Sequence, residues 1–382
     1  MTMLILVIAL FWFVVLIDAC IGLPSIQAIK TDTTNKDLEA TERISVVVAA
    51  KDEALSIRET LISLVDQSYS NLEIIVVNDR SDDETELIIQ DLCRHFPSIH
   101  SIHITELPEG WIGKNHALHV GSQAATGDVL VFIDADVRLN SRTIEMARDH
   151  LNNQQVDHLT LSPDLTGKGV WLRGFIAYFL FGFSYFKRPW TANQDDSRKG
   201  GMGIGAFQMI RRDTYYAIGT HAAFPTQPDD DLKLGQYVKK AGFKQRLVTG
   251  KSHLSVEWYA TLKEALVGLE KNTFAGLHYS ILLSFFAIIG TLLSQTFPYV
   301  TLLTYEGLPQ LFSALAILFM TLHFIIVTRK FTTFSPAYAF LLPLLSILFA
   351  YSIARAVYLT YKRGGIHWRG TFYSINTLKR KD

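Results

Sequence analysis

The stretch Val129-Leu-Val-Phe-Ile-Asp-Ala-Asp-Val-Arg138 runs five apolar residues straight into Asp134-Ala135-Asp136. A short unbroken apolar run bounded by polar residues predicts a strand buried on both faces, as in parallel sheets. Side chains on a strand alternate with period two, so Asp134 and Asp136 are expected on one side of it. Two carboxylates on one side repel unless a cation stands between them.

The preceding sequence repeats the pattern. Ile44-Ser-Val-Val-Val-Ala-Ala50 reads as a buried strand and ends in Lys51-Asp52-Glu53. Leu72 to Asp79 reads as a second strand, followed by Arg80-Ser81-Asp82-Asp83, and Ser101 to Thr105 as a short third. Ala54–Val65, Glu84–His95, Lys114–Ala125 and the stretch from Arg142 have helical spacing. Strands alternating with helices predict a parallel, doubly wound α/β sheet, with ligands at the carboxyl ends of its strands. Glu53, Asp79, Asp134 and Asp136 all fall at such ends. Asp82 and Asp83 read more simply as turn or cap residues.

A dinucleotide fold needs G-x-G-x-x-G after its first strand, and none is present; a P-loop is absent too. Gly201-Met-Gly-Ile-Gly205 lacks the strand-to-helix context and reads as a loop where backbone approaches a ligand closely. Without a glycine phosphate loop, a divalent metal can tie a carboxylate to a diphosphate. Mg²⁺ and Mn²⁺ take one or two carboxylates plus phosphate oxygens, which makes Asp136, with Asp134, the candidate ligands.

The chain has 382 residues, 49% of them hydrophobic, and a formal net charge of zero. That balance argues against a nucleic-acid binder, which is usually basic. Cys20 and Cys93 make no disulfide framework and no zinc site. Met3–Leu23 is long enough to cross a bilayer, and no Lys or Arg precedes it, so it reads as an uncleaved anchor. Tyr279–Val300, Leu308–Thr328 and Pro336–Tyr361 also reach spanning length. Lys30, Arg329 and Lys330 place the intervening domain in the cytoplasm by the positive-inside rule. Four crossings would put the basic tail outside, and Pro343 and Arg355 make the last run the candidate re-entrant or interfacial piece. The expected plan is an anchor (1–25), a catalytic-type domain (40–278, with halves 40–150 and 151–278), membrane helices (279–361) and a basic tail (362–382). The aromatic stretch Val170–Pro189, with basic ends, reads as an interface helix that could guide a lipid.

These motifs, in this order, resemble family 2 glycosyltransferases over about Arg43 to Ser280. Ala49-Ala-Lys-Asp-Glu53 stands at the family's Pro/Ala-x-Asn-Glu turn, with Asp52 for Asn. Asp79-Arg-Ser-Asp-Asp-Glu-Thr85 matches its Asp-(Asp/Gly)-Ser-x-Asp-x-Thr stretch, and Gly113-Lys-Asn-His-Ala-Leu118 its Gly-Lys-x-x-Ala-Leu segment. Asp134-Ala-Asp136 matches the D-x-D site, Asp230-Asp-Leu-Lys-Leu-Gly235 the Glu-Asp-x-x-Leu-Gly motif with Asp230 for Glu, and Lys271-Asn272 a Lys-Asn pair of related lipid transferases. Within the family, the chain most resembles membrane-anchored enzymes of the diaponeurosporenoate and hopanoid-associated type.

The resemblance implies a GT-A fold, a doubly wound mixed α/β sheet, joined to transmembrane helices. It implies inverting transfer from a nucleotide sugar, UDP-linked, to a hydroxyl, carboxyl or phosphate of a membrane lipid. Asp79 would meet the nucleobase, and Glu53, Lys114, Asp134 and Lys271 would lie by the nucleotide. Asp136, with Asp134, would hold Mg²⁺ or Mn²⁺, and Asp231 would be the general base. Capping of a helix N-terminus is the competing account of Asp229, Asp230 and Asp231. The Q-x-x-R-W motif of processive polymerases is absent, which favours single transfer. The alternatives are an inactive nucleotide-sugar-binding membrane scaffold and a polyprenyl-phosphate sugar transferase.

Overall fold

The computed structural model describes residues 1–30, 42–368 and 371–375. In chain order the elements are α1 (Thr2–Gly22), β1 (Ile44–Ala50), α2 (Ile57–Val65), β2 (Leu72–Asp79), α3 (Thr85–His95), β3 (Ile99–Ile104), α4 (Gly113–Ala124), β4 (Val129–Asp134) and β5 (Val137–Leu139). There follow α5 (Thr143–Asn153), β6 (His158–Ser162), β7 (Asp164–Thr166), α6 (Val170–Lys187), β8 (Gln208–Arg211), α7 (Arg212–Ala217), α8 (Asp230–Ala241), β9 (Gln245–Thr249) and β10 (Leu254–Glu257). The chain continues through α9 (Leu262–Gly276), α10 (Ile281–Thr291), α11 (Phe297–Thr304), α12 (Leu308–Phe331) and α13 (Leu342–Arg363). Contacts divide it into two units, one made of Gly22–Leu165 and Arg188–Glu257, the other of Met1–Ile21, Thr166–Lys187 and the described residues from Trp258 onward. The stretch read from sequence as an acceptor half, 151–278, is therefore shared between the two.

The first unit is built on a seven-stranded sheet in the order β3-β2-β1-β4-β8-β6-β9. β1 lies parallel to β2 and β4, β2 to β3, and β6 to β9, whereas β8 runs antiparallel to β4 and β6. The sheet is thus mixed, as the resemblance implies, and not the parallel sheet that strand–helix alternation alone predicts: β8 runs against both of its neighbours. The apolar runs of β1, β2 and β4 divide by alternation. Val46, Val48, Ile74, Val76, Val131 and Ile133 join the core that includes α2, α3 and α5. Val47, Ile75, Val77, Leu130 and Phe132 join the core that includes α4 and α8. Both faces are buried, which is why polar residues are confined to the strand ends. A Cβ on Gly121 would stand 2.4 Å from Val47 Cγ1, so α4 packs close against the sheet only because that position is glycine. After α1, the chain extends the β9 edge: Thr249 N–H donates to Gln27 O at 2.8 Å and Ile29 N–H to Thr249 O at 3.0 Å.

Among the described residues, four helical stretches are long and apolar enough to cross a membrane: Thr2–Ser25, whose residues to Ile21 belong to the second unit, and Ile281–Thr304, Leu308–Phe331 and Pro336–Arg363 within that unit. A π-helical turn, Leu292–Thr296, joins α10 to α11. Its Gln295 accepts from Tyr178 Oη and donates to Tyr185 Oη at 3.0 Å, and Ser184 Oγ lies 2.8 Å from His323 Nε2. Such side-chain hydrogen bonds tie apolar helices together where water is absent. Tyr178, Ser184 and Tyr185 belong to α6, which also stacks Phe181 on Trp12 at 5.4 Å. Pro343 sits in the first turn of α13, where its missing N–H costs nothing. Arg355 donates to Glu270, and Arg363 donates to the same carboxylate at 3.1 Å. The Pro and Arg that suggested a re-entrant run are accommodated in one continuous helix.

Candidate active site

β2 and β4 end on acids, Asp79 and Asp134, and β1 ends between them on Ala49 and Ala50, which pair with Asp134 and Asn78. These small side chains leave room above the edge of the sheet. Asp134 is the last residue of β4, and Ala135–Asp136 form a turn into β5. Strand alternation therefore stops at Asp134, and the expectation that both acids share a strand face does not hold. Asp136 is half-buried in that turn.

The cation beside Asp134 is Lys114, from the first turn of α4. Its Nζ lies 2.8 Å from Asp134 Oδ1 and 3.3 Å from Asp230 Oδ1. Burial opposes its charge, but Asp134, Asp230 and Asp231 more than offset this and hold the ammonium well above the ordinary lysine range. Asp230, at the start of α8 and 3% exposed, is pushed up to about 7 by burial and by Asp231 and Asp134, against the pull of Lys114. Burial and Asp134 also raise Asp231, opposed by Lys114 and by its backbone hydrogen bonds. α4 reaches this position because Asn115 Nδ2 donates to Phe224 O at 2.8 Å and Gln227 O at 3.0 Å, and Ile112 N–H to Pro225 O at 2.9 Å.

Gly205 links the two carboxylate groups. Its carbonyl accepts from Asp134 N–H at 3.0 Å, and its N–H donates to Asp231 Oδ2 at 2.9 Å. A Cβ there would stand 2.5 Å from Asp134 Oδ2. At Gly203 it would stand 1.9 Å from Asp231 O, and at Gly201 2.3 Å from Gly235 O. The glycine-rich loop thus approaches α8 and Asp134: the close neighbours of its glycines are protein atoms, where the sequence alone predicts a ligand. Beneath it, Gln245 accepts from Met202 N–H at 2.8 Å and contacts His158 Nδ1 at 2.7 Å, and His158 Nε2 meets Gln208 Oε1 at 3.2 Å. Burial lowers His158 to about 4, so it stays neutral and orients this network without charge.

At the end of β2, Arg80 grips Asp79: Nε to Oδ1 at 2.7 Å and Nη2 to Oδ2 at 3.0 Å. Lys51 Nζ donates to Arg80 O at 2.8 Å. Glu53 lies in the turn before α2, where its carboxylate accepts from Ser56 Oγ at 2.9 Å and its N–H donates to Thr85 Oγ1 at 2.8 Å. Asp83 accepts from Ala54 N–H at 3.0 Å and Thr85 N–H at 2.9 Å, the capping role expected of it. Lys271 lies on α9 in the other unit, and its side chain is outside the described residues.

The structure thus gathers Lys114, Asp134 and Asp231 into one set, and adds Asp230. Among the described residues, no three His, Cys, Asp or Glu side chains form a metal-binding group. One carboxylate is enough where a diphosphate supplies other oxygens. Asp136, half-buried in the turn, fits that limited role, and Asp134 beside it faces the Lys114 ammonium.

Residues 45–219 match the model of glycosyl transferase family 2. The chain is a glycosyltransferase with a family 2 domain. The glycosyltransferase is 24% identical over 362 residues to 4,4'-diaponeurosporenoate glycosyltransferase of Staphylococcus aureus, covering 91% of this chain and 92% of that one. It is 34% identical over 103 residues to the enzyme of that name from Staphylococcus haemolyticus, covering 27% and 26%. A mannosyltransferase of Pyrobaculum calidifontis, solved with GDP-Man and Mn²⁺, has the same GT-A fold, at 16% identity and a TM-score of 0.53, over 94% of this chain and 98% of that one.

Three features of the glycosyltransferase's site escaped sequence reasoning: the Lys114–Asp230 contact, the Gly205 link and the Arg80 grip on Asp79. The alternate glycines 201, 203 and 205 were the available signal for the second. Three small residues with period two imply one crowded face.

Proposed function

We propose that this nucleotide-sugar-dependent glycosyltransferase uses a UDP-linked donor and passes its sugar, with inversion, to a hydroxyl, carboxyl or phosphate of a membrane lipid. The catalytic unit would face the cytoplasm, on the side marked by Lys30, Arg329 and Lys330, and apolar helices would anchor it in the bilayer. The observation that carries the reading is the joining of Asp134 and Asp231 through Gly205, which supports a donor-side role for the first and the role of base for the second. The names of the staphylococcal relatives, which specify diaponeurosporenoate, support a lipid acceptor. The GDP-Man and Mn²⁺ of the archaeal enzyme support a nucleotide-sugar donor and a divalent metal.

Asp231 takes the proton of an acceptor hydroxyl as its oxygen attacks the anomeric carbon. The new bond forms on the face opposite the departing diphosphate, so configuration inverts. A positioned general base is worth roughly 10² to 10⁴ in rate. Its raised proton affinity makes it a stronger base than a solvated carboxylate, while the Gly205 N–H fixes its direction. A carboxyl or phosphate acceptor arrives ionised and needs only orientation. Lys114 supplies positive charge to the diphosphate, and Asp79 meets the base of the nucleotide. Mg²⁺ or Mn²⁺, held by Asp136, would add charge against the leaving diphosphate.

The test is transfer by detergent-purified enzyme from labelled UDP-sugars to a membrane lipid extract, with mass spectrometry of the product. A glycolipid of inverted anomeric configuration supports the reading. Nucleotide binding with no transfer to any lipid fraction supports the scaffold alternative.

A further inference from the structure

Arg80 occupies the place where the family pattern has Asp or Gly, and it does not point away from the site. Its guanidinium takes both oxygens of Asp79, at 2.7 and 3.0 Å, and its side chain is only 25% exposed. The backbone of Arg80 is left-handed, with φ 54°, a conformation unfavourable for a residue with a Cβ. Lys51 holds that strained peptide by its carbonyl, at 2.8 Å. The helix facing it is cut to fit. A Cβ on Gly113 would stand 2.2 Å from Asp79 Oδ2 and 2.9 Å from Arg80 Nη2. Beside them His116 carries a buried Nδ1 with no hydrogen-bond partner among the described residues, and it is near enough to feel both charges. An acceptor, a planar set of donors and an unmet ring nitrogen are thus held together at the end of β2.

We propose that Arg80 and Asp79 read the donor's nucleobase as one unit. Asp79 accepts from a ring N–H, and Arg80 turns one edge of its guanidinium to the adjacent ring carbonyl. The base class this suits is one that presents N–H beside C=O, as uracil and guanine do. Cytosine and adenine present an acceptor nitrogen there instead, which would face the Asp79 carboxylate, and an amino group in place of the carbonyl, which would face the Arg80 guanidinium. Arg80 is then the specificity-determining residue, and its strained backbone fixes the guanidinium against the acid in advance. This rests on the nucleotide-sugar reading above.

The test is calorimetric titration of the full-length protein in detergent with Mg²⁺, using UDP, GDP, CDP and ADP, on the native protein, Arg80→Ala and Arg80→Lys. The native protein should prefer UDP or GDP. Arg80→Ala should bind the preferred nucleotide roughly ten- to hundredfold more weakly and lose part of its preference over CDP, as expected when the charged half of a two-point base contact is removed. Arg80→Lys, charged but not forked, should lose nearly as much. A ligand-side arm needs no variant: UDP with sulfur for O2 or O4 should bind the native protein several-fold more weakly in at least one of the two positions. The inference is overturned if Arg80→Ala binds as tightly or more tightly with its base preference intact, since Arg80 then only occupies Asp79 in the free enzyme. It is also overturned if both sulfur analogues bind as UDP does. If the native protein binds no nucleoside diphosphate, the donor reading falls with it; if the native protein binds and discriminates but the variants do too, only the role of Arg80 falls.

Discussion

Lys114 stands between Asp134 and Asp230, 3.3 Å from the buried carboxylate of Asp230, and so bridges the end of β4 to the start of α8. Removing one member of a buried ion pair leaves the others uncompensated, a larger effect than the pair's own net worth. Lys114→Met should lower the melting temperature by several degrees at pH 8. The loss should shrink at pH 6, where Asp230 can take up a proton. Scanning fluorimetry at the two pH values checks this; equal losses would count against the shared-cation description.

Asp230 itself gives a signed pH dependence. Its folded-state value, about 7, lies above the ordinary carboxylate range. Between the two values the folded chain holds more protons than the unfolded chain, so this group's contribution to stability falls as pH rises from roughly 4 to 7 and is flat above. Asp230→Asn removes that slope. The melting temperature of the variant, relative to the native protein, should therefore rise from pH 5 to pH 8. A constant difference would mean that Asp230 titrates normally.

Glycine substitutions separate two kinds of crowding. At Gly203 an added Cβ meets the backbone oxygen of Asp231 at 1.9 Å, and at Gly205 it meets the side-chain oxygen of Asp134 at 2.5 Å. A carboxylate can turn away, whereas helix backbone cannot without moving α8. Gly203→Ala should therefore be the more destabilising, by more than the 1–3 kcal/mol typical of overpacking. Gly205→Ala should fold and lose donor affinity, because it displaces Asp134 from Lys114. Thermal melts and UDP titration distinguish the two.

Much of this was legible in the sequence for physical reasons. Runs such as Val46–Val48 and Val129–Ile133 have no polar alternation because both sheet faces are covered, and that leaves Asp79 and Asp134 conspicuous at the ends. Other features depended on contacts between residues far apart in the chain. Lys114 and Asp230 are brought together by the hydrogen bonds of Asn115 to the 224–227 loop. β8 runs against its neighbours, which the strand–helix alternation does not signal. Asp136 leaves the strand because a turn intervenes after Asp134, and alternation has no authority past a strand's end. Helix α6, whose aromatic sequence reads as an interface helix, and helix α9, in soluble-looking sequence, both belong to the unit of apolar helices.

The metal reading rests on Asp136, half-buried in the turn after β4, with Asp134, whose oxygen lies 2.8 Å from Lys114. UDP binding should weaken at least tenfold when Mg²⁺ and Mn²⁺ are removed with EDTA, the scale expected for losing a charge-assisted phosphate contact. In Asp136→Ala the affinity should already be low and should respond little to EDTA. Calorimetry with and without chelator measures both. An undiminished response to EDTA in Asp136→Ala would place the metal elsewhere.

The most direct test of the catalytic assignment is single-turnover sugar transfer by Asp231→Asn, with UDP affinity measured on the same preparation. Asn keeps the size of the side chain and can still face Gly205, but it cannot take a proton. For a hydroxyl acceptor, transfer should fall by roughly 10² to 10⁴ while UDP affinity stays within a few-fold. Native-like transfer by Asp231→Asn at saturating donor and acceptor would contradict the assignment of Asp231 as the base.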